Sequence, residues 1–182
     1  MKNLANKITM VRLIASAVVL VALMWGTGPG LVVALLVFVG SALSDWLDGY
    51  LARRRGEVST WGKIMDPVAD KVLVYAVFLW ALWARLLPVW MVMVLLGRDF
   101  VVMGLRVELA ARGVVLAAGW WGKVKTVLQD TVIILLLLLV GRQSGALSPT
   151  GTALILGLMG AVVVATIVSG AQYALGAGRT VS

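Results

Sequence analysis

The 182-residue chain contains no cysteine and no histidine. Without cysteine there is neither a disulfide framework nor a thiolate metal site. Without histidine, a general base has to be a carboxylate, a lysine or a tyrosine, and a bound metal has to take oxygen ligands. Oxygen donors favour hard cations such as magnesium, manganese or calcium over zinc. Acid is scarce too: eight Asp and Glu stand against sixteen Lys and Arg, for a net charge of +8. What fills the chain instead is apolar sequence, 62% hydrophobic with a mean hydropathy of +1.02. A soluble domain of this size does not carry so much, so the expected class is an all-α polytopic membrane protein.

Six apolar stretches each approach the ~20 residues that a bilayer core requires, at about 9–26, 31–51, 65–84, 88–110, 123–141 and 150–173. The breaks read as turns: GTGPG at 26–30, the charged segment 52–64, RLLP at 85–88, ARGVVLAAGWWG at 111–122 and RQSGALSPT at 142–150. No soluble domain remains, so residues 1–182 are read as one six-span membrane domain. The N-terminus has the charged-then-apolar pattern of a signal peptide, but its apolar run is too long and no small-residue cleavage site follows. It is read as a retained first span.

The bases lie beside spans and not in a basic domain, which points to topology, anionic lipid and phosphate-bearing substrate, not to nucleic acid. Thirteen of them fall on one side of the expected topology, only Arg85 and Arg142 fall on the other, and Arg98 lies inside the fourth span. This bias places both termini and the segment 45–70 in the cytoplasm. Trp25, Trp61, Trp80, Trp83, Trp90, Trp120 and Trp121 lie near span ends, as an interfacial aromatic belt would.

Four of the eight acids, Asp45, Asp48, Asp66 and Asp70, fall within DWLDGYLARRRGEVSTWGKIMDPVAD. A carboxylate beside an apolar span is costly unless it is paired, hydrated or bound to metal. On a helix Asp45, Asp48, Gly49 and Ala52 share one face at i, i+3, i+4 and i+7, and Asp66 and Asp70 form an i, i+4 pair with Gly62 on the same stripe. A neutralised cluster with Arg53, Arg54, Arg55, Lys63 and Lys71 would explain single aspartates. It leaves the clustering of acids and the small residues on their faces unexplained. Carboxylates converging from two helices can hold divalent cations and clamp a pyrophosphate. Small residues let a nucleotide approach the backbone, and Arg53 can pair with a phosphate.

The spacing D45-x2-D48-G49-x2-A52-R53-x8-G62-x3-D66-x3-D70 resembles the complete signature of the CDP-alcohol phosphatidyltransferases. The stretches LANKITMVRLIAS, DPVADKVLV, GRDFVVMGLR and GWWGKVKTVLQ resemble the bacterial phosphatidylglycerophosphate synthases of that family, so the likeness covers residues 3 to about 140. The last span resembles only a generic hydrophobic helix. The resemblance implies Asp45, Asp48, Asp66 and Asp70 as ligands of a pair of Mg2+ or Mn2+ ions, with Asp70 also the general base. It implies Asp48, Gly49, Ala52, Arg53 and Gly62 as the CDP site, CDP-diacylglycerol as donor, and a homodimer.

A second set of bases, Arg98, Arg106, Lys123 and Lys125, lies outside that signature. Arg98 and Arg106 are eight residues apart, on one helical face and about 12 Å apart along the axis. Snorkelling to lipid phosphate is one reading of such bases. The other is a pocket for the phosphate of an acceptor, glycerol 3-phosphate, which agrees with the resemblance. Asp99 stands where those synthases carry Glu, and Ala5 where they carry Pro. Adjacent helical positions point about 100° apart, so a local Arg98–Asp99 pair is expected to be poor. Asn6, Thr9 and Arg12 share a face that can border the cavity. Other acceptors (inositol phosphate, serine, phosphatidylglycerol) remain open. A divalent-cation transporter is disfavoured because the acids sit at the cytoplasmic edge.

Overall fold

The structure is a computed structural model that describes the backbone of residues 3–26, 28–55, 60–112, 119–142 and 147–181, with side chains over 10–26, 28–44, 68–109, 112, 119–142 and 147–176. Among the described residues every regular element is helical: α1 (Asn3–Met24), α2 (Gly28–Arg55), α3 (Thr60–Trp83), α4 (Val89–Ala111), α5 (Trp120–Arg142) and α6 (Pro149–Val181). All six begin and end within several residues of the expected spans, and most run past them. The end of α6 runs furthest past its expected span, and the charged segment 52–64, expected to be a turn, is shortened from both sides. Here α2 continues through Arg55 and α3 starts at Thr60. Apolarity marks where a helix meets lipid or core, whereas the hydrogen-bonded backbone continues into polar sequence without penalty.

The breaks carry recognisable punctuation. Gly26 takes a positive φ of 65° after α1, and its N–H donates to the Leu23 carbonyl at 3.2 Å, closing the last turn. Pro149 opens α6, where a missing N–H costs nothing. Arg85 holds a φ of 57° just after α3, a left-handed position that a non-glycine residue adopts at some cost.

Two compact units are distinguished. The first comprises 1–84 and 133–148. Within it α1 packs against both α2 and α3, around a core that includes Val19, Leu23, Phe38, Val77 and Phe78. Gly30 permits the α1–α2 contact, since a Cβ there would run into the Ala22 carbonyl. The second comprises 85–132 and 149–182, with α4 packed against α6. Its buried apolar residues include Leu95, Val102, Ile155 and Val162, but so many polar groups join them (Asp99, Lys125, Gln129, Thr166, Ser169) that its interior is only partly apolar.

Large apolar side chains also face outward, among them Val11, Ile14, Leu36, Phe100, Val127 and Leu175. So extensive an apolar exterior fits lipid better than water. Among the described residues two helices are long and apolar enough to cross a membrane, Trp120–Arg142 and Pro149–Gly176; Met10–Met24 and Gly28–Ser44 are apolar but shorter. The aromatic belt is corrected at one position. Trp25, Trp83, Trp90, Trp120 and Trp121 are exposed, but Trp80 is buried, because it lies a turn inside the end of α3 and faces the core. Trp61 lies outside the residues with described side chains.

Candidate active site

The aspartate stretch keeps the register that its spacing demands. Positions 45, 48, 49 and 52 all lie on α2, and positions 62, 66 and 70 all lie on α3. Each carboxylate pair is therefore separated by about one helical turn. The side chains of Asp45, Asp48, Gly49, Ala52, Arg53, Gly62 and Asp66 lie outside those described, as do Asn6 and Thr9. Asp70 is described: its side chain is 35% exposed, and the Lys71 ammonium lies 3.5 Å from its Oδ2. That adjacent pair is half-buried. Among the described residues no three Asp, Glu, His or Cys form a metal-binding group, and of the four aspartates only Asp70 is in that set. The donor set on α2 and α3 is nevertheless all carboxylate at single-turn spacing, which fits a hard divalent cation. Arg12 is buried on α1, where the Ser16 hydroxyl donates to its carbonyl at 2.8 Å.

The basic set divides. Lys125 and Asp99 form a buried ion pair between α5 and α4, with the ammonium donating to Oδ1 at 2.6 Å and to Oδ2 at 2.7 Å. The Lys125 side chain is 1% exposed and that of Asp99 4%. Arg98 also donates from Nη1 to Asp99 Oδ1, at 3.1 Å. The expectation that neighbouring positions pair poorly is thus overturned. Arginine is long enough to swing its guanidinium back over the adjacent residue. Arg98 and Arg106 meet through a residue on α6: their guanidinium carbons lie 5.6 Å and 5.1 Å from the ring centre of Tyr173. Arg106 Nη2 also donates to the Tyr173 hydroxyl. Lys123, by contrast, is exposed in the first turns of α5, and no polar contact joins it to this cluster among the described residues.

Two glycines make room for Arg98. A Cβ at Gly170 would lie 3.3 Å from its Cγ, and one at Gly122 would lie 4.0 Å from its Nη2. The guanidinium keeps unused capacity, because its buried Nε has no hydrogen-bond partner among the described residues. Among the described residues joined by these contacts, the three cations Arg98, Arg106 and Lys125 stand against the carboxylate of Asp99, an excess of two positive charges. A phosphate monoester near neutral pH carries about −1.5 to −2. The cluster therefore matches such a group in charge, and its guanidiniums supply the fork geometry that phosphate oxygens accept.

Reading the sequence as a set of charges missed the uncharged members. Tyr173 is buried on α6 together with Thr166 and Ser169, and Gln129 is buried one turn beyond Lys125 on α5. Both amide atoms of Gln129 and the hydroxyl of Thr166 have no hydrogen-bond partner among the described residues. A signal was present: Thr166, Ser169, Gly170 and Tyr173 fall at i, i+3, i+4 and i+7, a polar stripe on an otherwise apolar helix, with the same spacing as the first aspartate face.

Comparison with known proteins identifies the family. The family model for CDP-alcohol phosphatidyltransferases matches residues 2–171, reaching well into α6 and so beyond the residue near 140 where the likeness was expected to stop. Over 150 residues the chain is 39% identical to the CDP-diacylglycerol–glycerol-3-phosphate 3-phosphatidyltransferase of Bacillus subtilis (strain 168), a match covering 76% of this chain and 78% of that protein. Over 174 residues it is 34% identical to a probable phosphatidylglycerophosphate synthase of Mycobacterium tuberculosis (strain ATCC 25618 / H37Rv), covering 94% and 79%. It is also 34% identical over 137 residues to the CDP-diacylglycerol–glycerol-3-phosphate 3-phosphatidyltransferase of Rickettsia felis, covering 75% and 76%. With the signature spacing held on α2 and α3 and the family model spanning nearly the whole length, the chain belongs to the CDP-alcohol phosphatidyltransferase family.

Proposed function

We infer that the protein transfers the phosphatidyl group of CDP-diacylglycerol to glycerol 3-phosphate, giving phosphatidylglycerophosphate and CMP. The relatives named above support the reaction. The observation that carries the acceptor is the Arg98–Asp99–Lys125 cluster joined to Arg106 through Tyr173, whose excess of two positive charges suits a phosphorylated alcohol better than serine. Arg98 and Arg106 take the acceptor's phosphate. Lys125 neutralises Asp99 and keeps that carboxylate from repelling the substrate. Lys123 is exposed and stands outside this assignment.

On the donor side, Asp45, Asp48, Asp66 and Asp70 would hold divalent magnesium or manganese, which when bound supplies charge neutralisation to a pyrophosphate. Gly49, Ala52 and Gly62 leave the backbone open to the CDP moiety, with Asp48 and Arg53 beside it. Asp70 accepts the proton from the 1-hydroxyl of glycerol 3-phosphate. The new bond forms between that oxygen and the lipid-linked phosphorus, the pyrophosphate bond breaks, and CMP leaves with the electron pair.

The six helices are read as six spans, with the termini and the aspartate stretch on the cytoplasmic side of the cell membrane, supported by the bias of basic residues. A homodimer is the expected assembly. The test is CMP release from CDP-diacylglycerol by the purified protein in detergent with magnesium or manganese, each with an EDTA control. Release that depends on metal and is stimulated by glycerol 3-phosphate supports the reading. Stimulation by serine, inositol phosphate or phosphatidylglycerol in its place overturns the acceptor, and the absence of release with any of them overturns the reaction.

A further inference from the structure

We propose that Tyr173 on α6 is a positioning residue for the acceptor's phosphate, one ring and one hydroxyl holding the Arg98 and Arg106 guanidiniums ready for it. The inference rests on the assignment of those two arginines to the acceptor and adds to it the reason they can share one anion. They leave α4 eight residues apart, about 12 Å along the axis. Unaided, two flexible like charges at that separation repel and sample many rotamers. Tyr173 is 5% exposed, so its position is set by packing. Its ring attracts both cations, at 5.6 Å and 5.1 Å from the ring centre, and its hydroxyl oxygen accepts from Arg106 Nη2.

The surroundings of Arg98 show the same arrangement. Asp99 takes Nη1, while Gly170 and Gly122 provide the space beside Cγ and Nη2. Arg98 is thus held on one side, and its buried Nε is left without a partner among the described residues. Donors fixed before the ligand arrives avoid the ordering cost that free side chains meet on binding. The lipid donor and the chemical step do not use Tyr173, so its contribution is confined to affinity for the phosphorylated acceptor. A Tyr173 that merely packed α6 against α4 would influence stability and all kinetic constants together.

The experiment compares Tyr173→Phe and Tyr173→Leu with Arg98→Ala and Arg106→Ala, in CMP-release kinetics with each substrate varied in turn and with inorganic phosphate as a competitor. Thermal unfolding in detergent is recorded for every variant. Tyr173→Phe keeps the ring and loses the hydroxyl. It is expected to raise KM for glycerol 3-phosphate, and to weaken inhibition by phosphate, about fivefold, the factor that one lost hydrogen bond corresponds to. Its kcat and its KM for CDP-diacylglycerol stay at the parent values. Tyr173→Leu is expected to raise the same KM further. An unchanged KM for glycerol 3-phosphate in Tyr173→Phe, or a fall in kcat with that KM unmoved, overturns the proposal even if Tyr173→Leu fails to fold. If Arg98→Ala and Arg106→Ala also leave that KM and the phosphate inhibition unmoved, the acceptor assignment fails and takes the proposal with it. If the two arginine variants raise KM and Tyr173→Phe does not, only the role of Tyr173 is lost. Reduced inhibition by anionic lipid vesicles without any change toward free phosphate would assign the arginines to a headgroup and overturn it as well.

Discussion

In the aspartate stretch the functional groups come from two helices that are neighbours in sequence, and each pair of carboxylates is set by the repeat of a single helix. In the basic cluster Arg98, Asp99 and Arg106 come from α4, Lys125 from α5 and Tyr173 from α6. The first region sets carboxylates at single-turn spacing among nearby bases, and its proposed completion is a divalent cation. The second supplies its own counter-ion and retains an excess of two positive charges. Local spacing suffices to put two carboxylates on one helix face, whereas a buried ion pair needs partners from several helices to limit the cost of desolvation.

The sharpest way to break the comparison is at its acidic end. Asp70→Asn removes the proposed base while keeping size and hydrogen-bonding atoms, and CMP release is expected to fall by about 10²–10⁴-fold. Unchanged turnover in a folded sample would move the base elsewhere and leave Asp70 as the partner of Lys71.

At the basic end, Asp99→Asn leaves Lys125 buried without its carboxylate, a change expected to cost about 3–5 kcal/mol. It should appear as a lowered unfolding temperature in detergent. Adding Lys125→Met should recover most of the loss, because the stranded charge goes with it. If the single variant is as stable as the parent, Lys125 does not depend on Asp99.

A smaller effect separates fork from point charge. Arg98→Lys keeps the charge but loses the planar guanidinium, so KM for glycerol 3-phosphate should rise about tenfold, the lower end of what a charged hydrogen bond is worth. An unchanged KM would reduce Arg98 to a generic positive charge. The smallest effect concerns Gln129, whose two amide atoms are buried without partners among the described residues. Gln129→Met should stabilise the protein by about 1 kcal/mol in thermal unfolding, since the desolvated amide is removed and its volume kept. A loss of stability would mean that the amide is satisfied in the membrane by an ordered water.

Much of the fold was legible because apolar runs of span length can hardly be anything but helices. The helices appeared within several residues of their expected positions, and the aspartate signature fell on α2 and α3 as its spacing required. Legibility weakened wherever orientation around a helix mattered. Lys123 and Lys125 look equivalent in GWWGKVKTVLQ, yet one is exposed and the other is 1% exposed against Asp99. Two residues along a helix is a rotation of about 200°, and which side faces inward depends on the neighbouring helices. Trp80 was placed in an interfacial belt by its nearness to a span end, and the packing of α3 buried it.

The sequence by itself determined the helical class, the number and placing of the apolar stretches, and which of the four aspartates share a helix. Those follow from composition and from the helical repeat, which act within a few residues. Only the tertiary structure decided that Asp99 neutralises Lys125, that Arg98 folds back onto its neighbour, and that Tyr173 on a seemingly generic last helix joins two arginines. Those contacts link residues 26 and 67 positions apart, between Lys125 and Asp99 and between Arg106 and Tyr173. Pairings at such separations depend on which helices pack together and in what rotation, and no local periodicity encodes that.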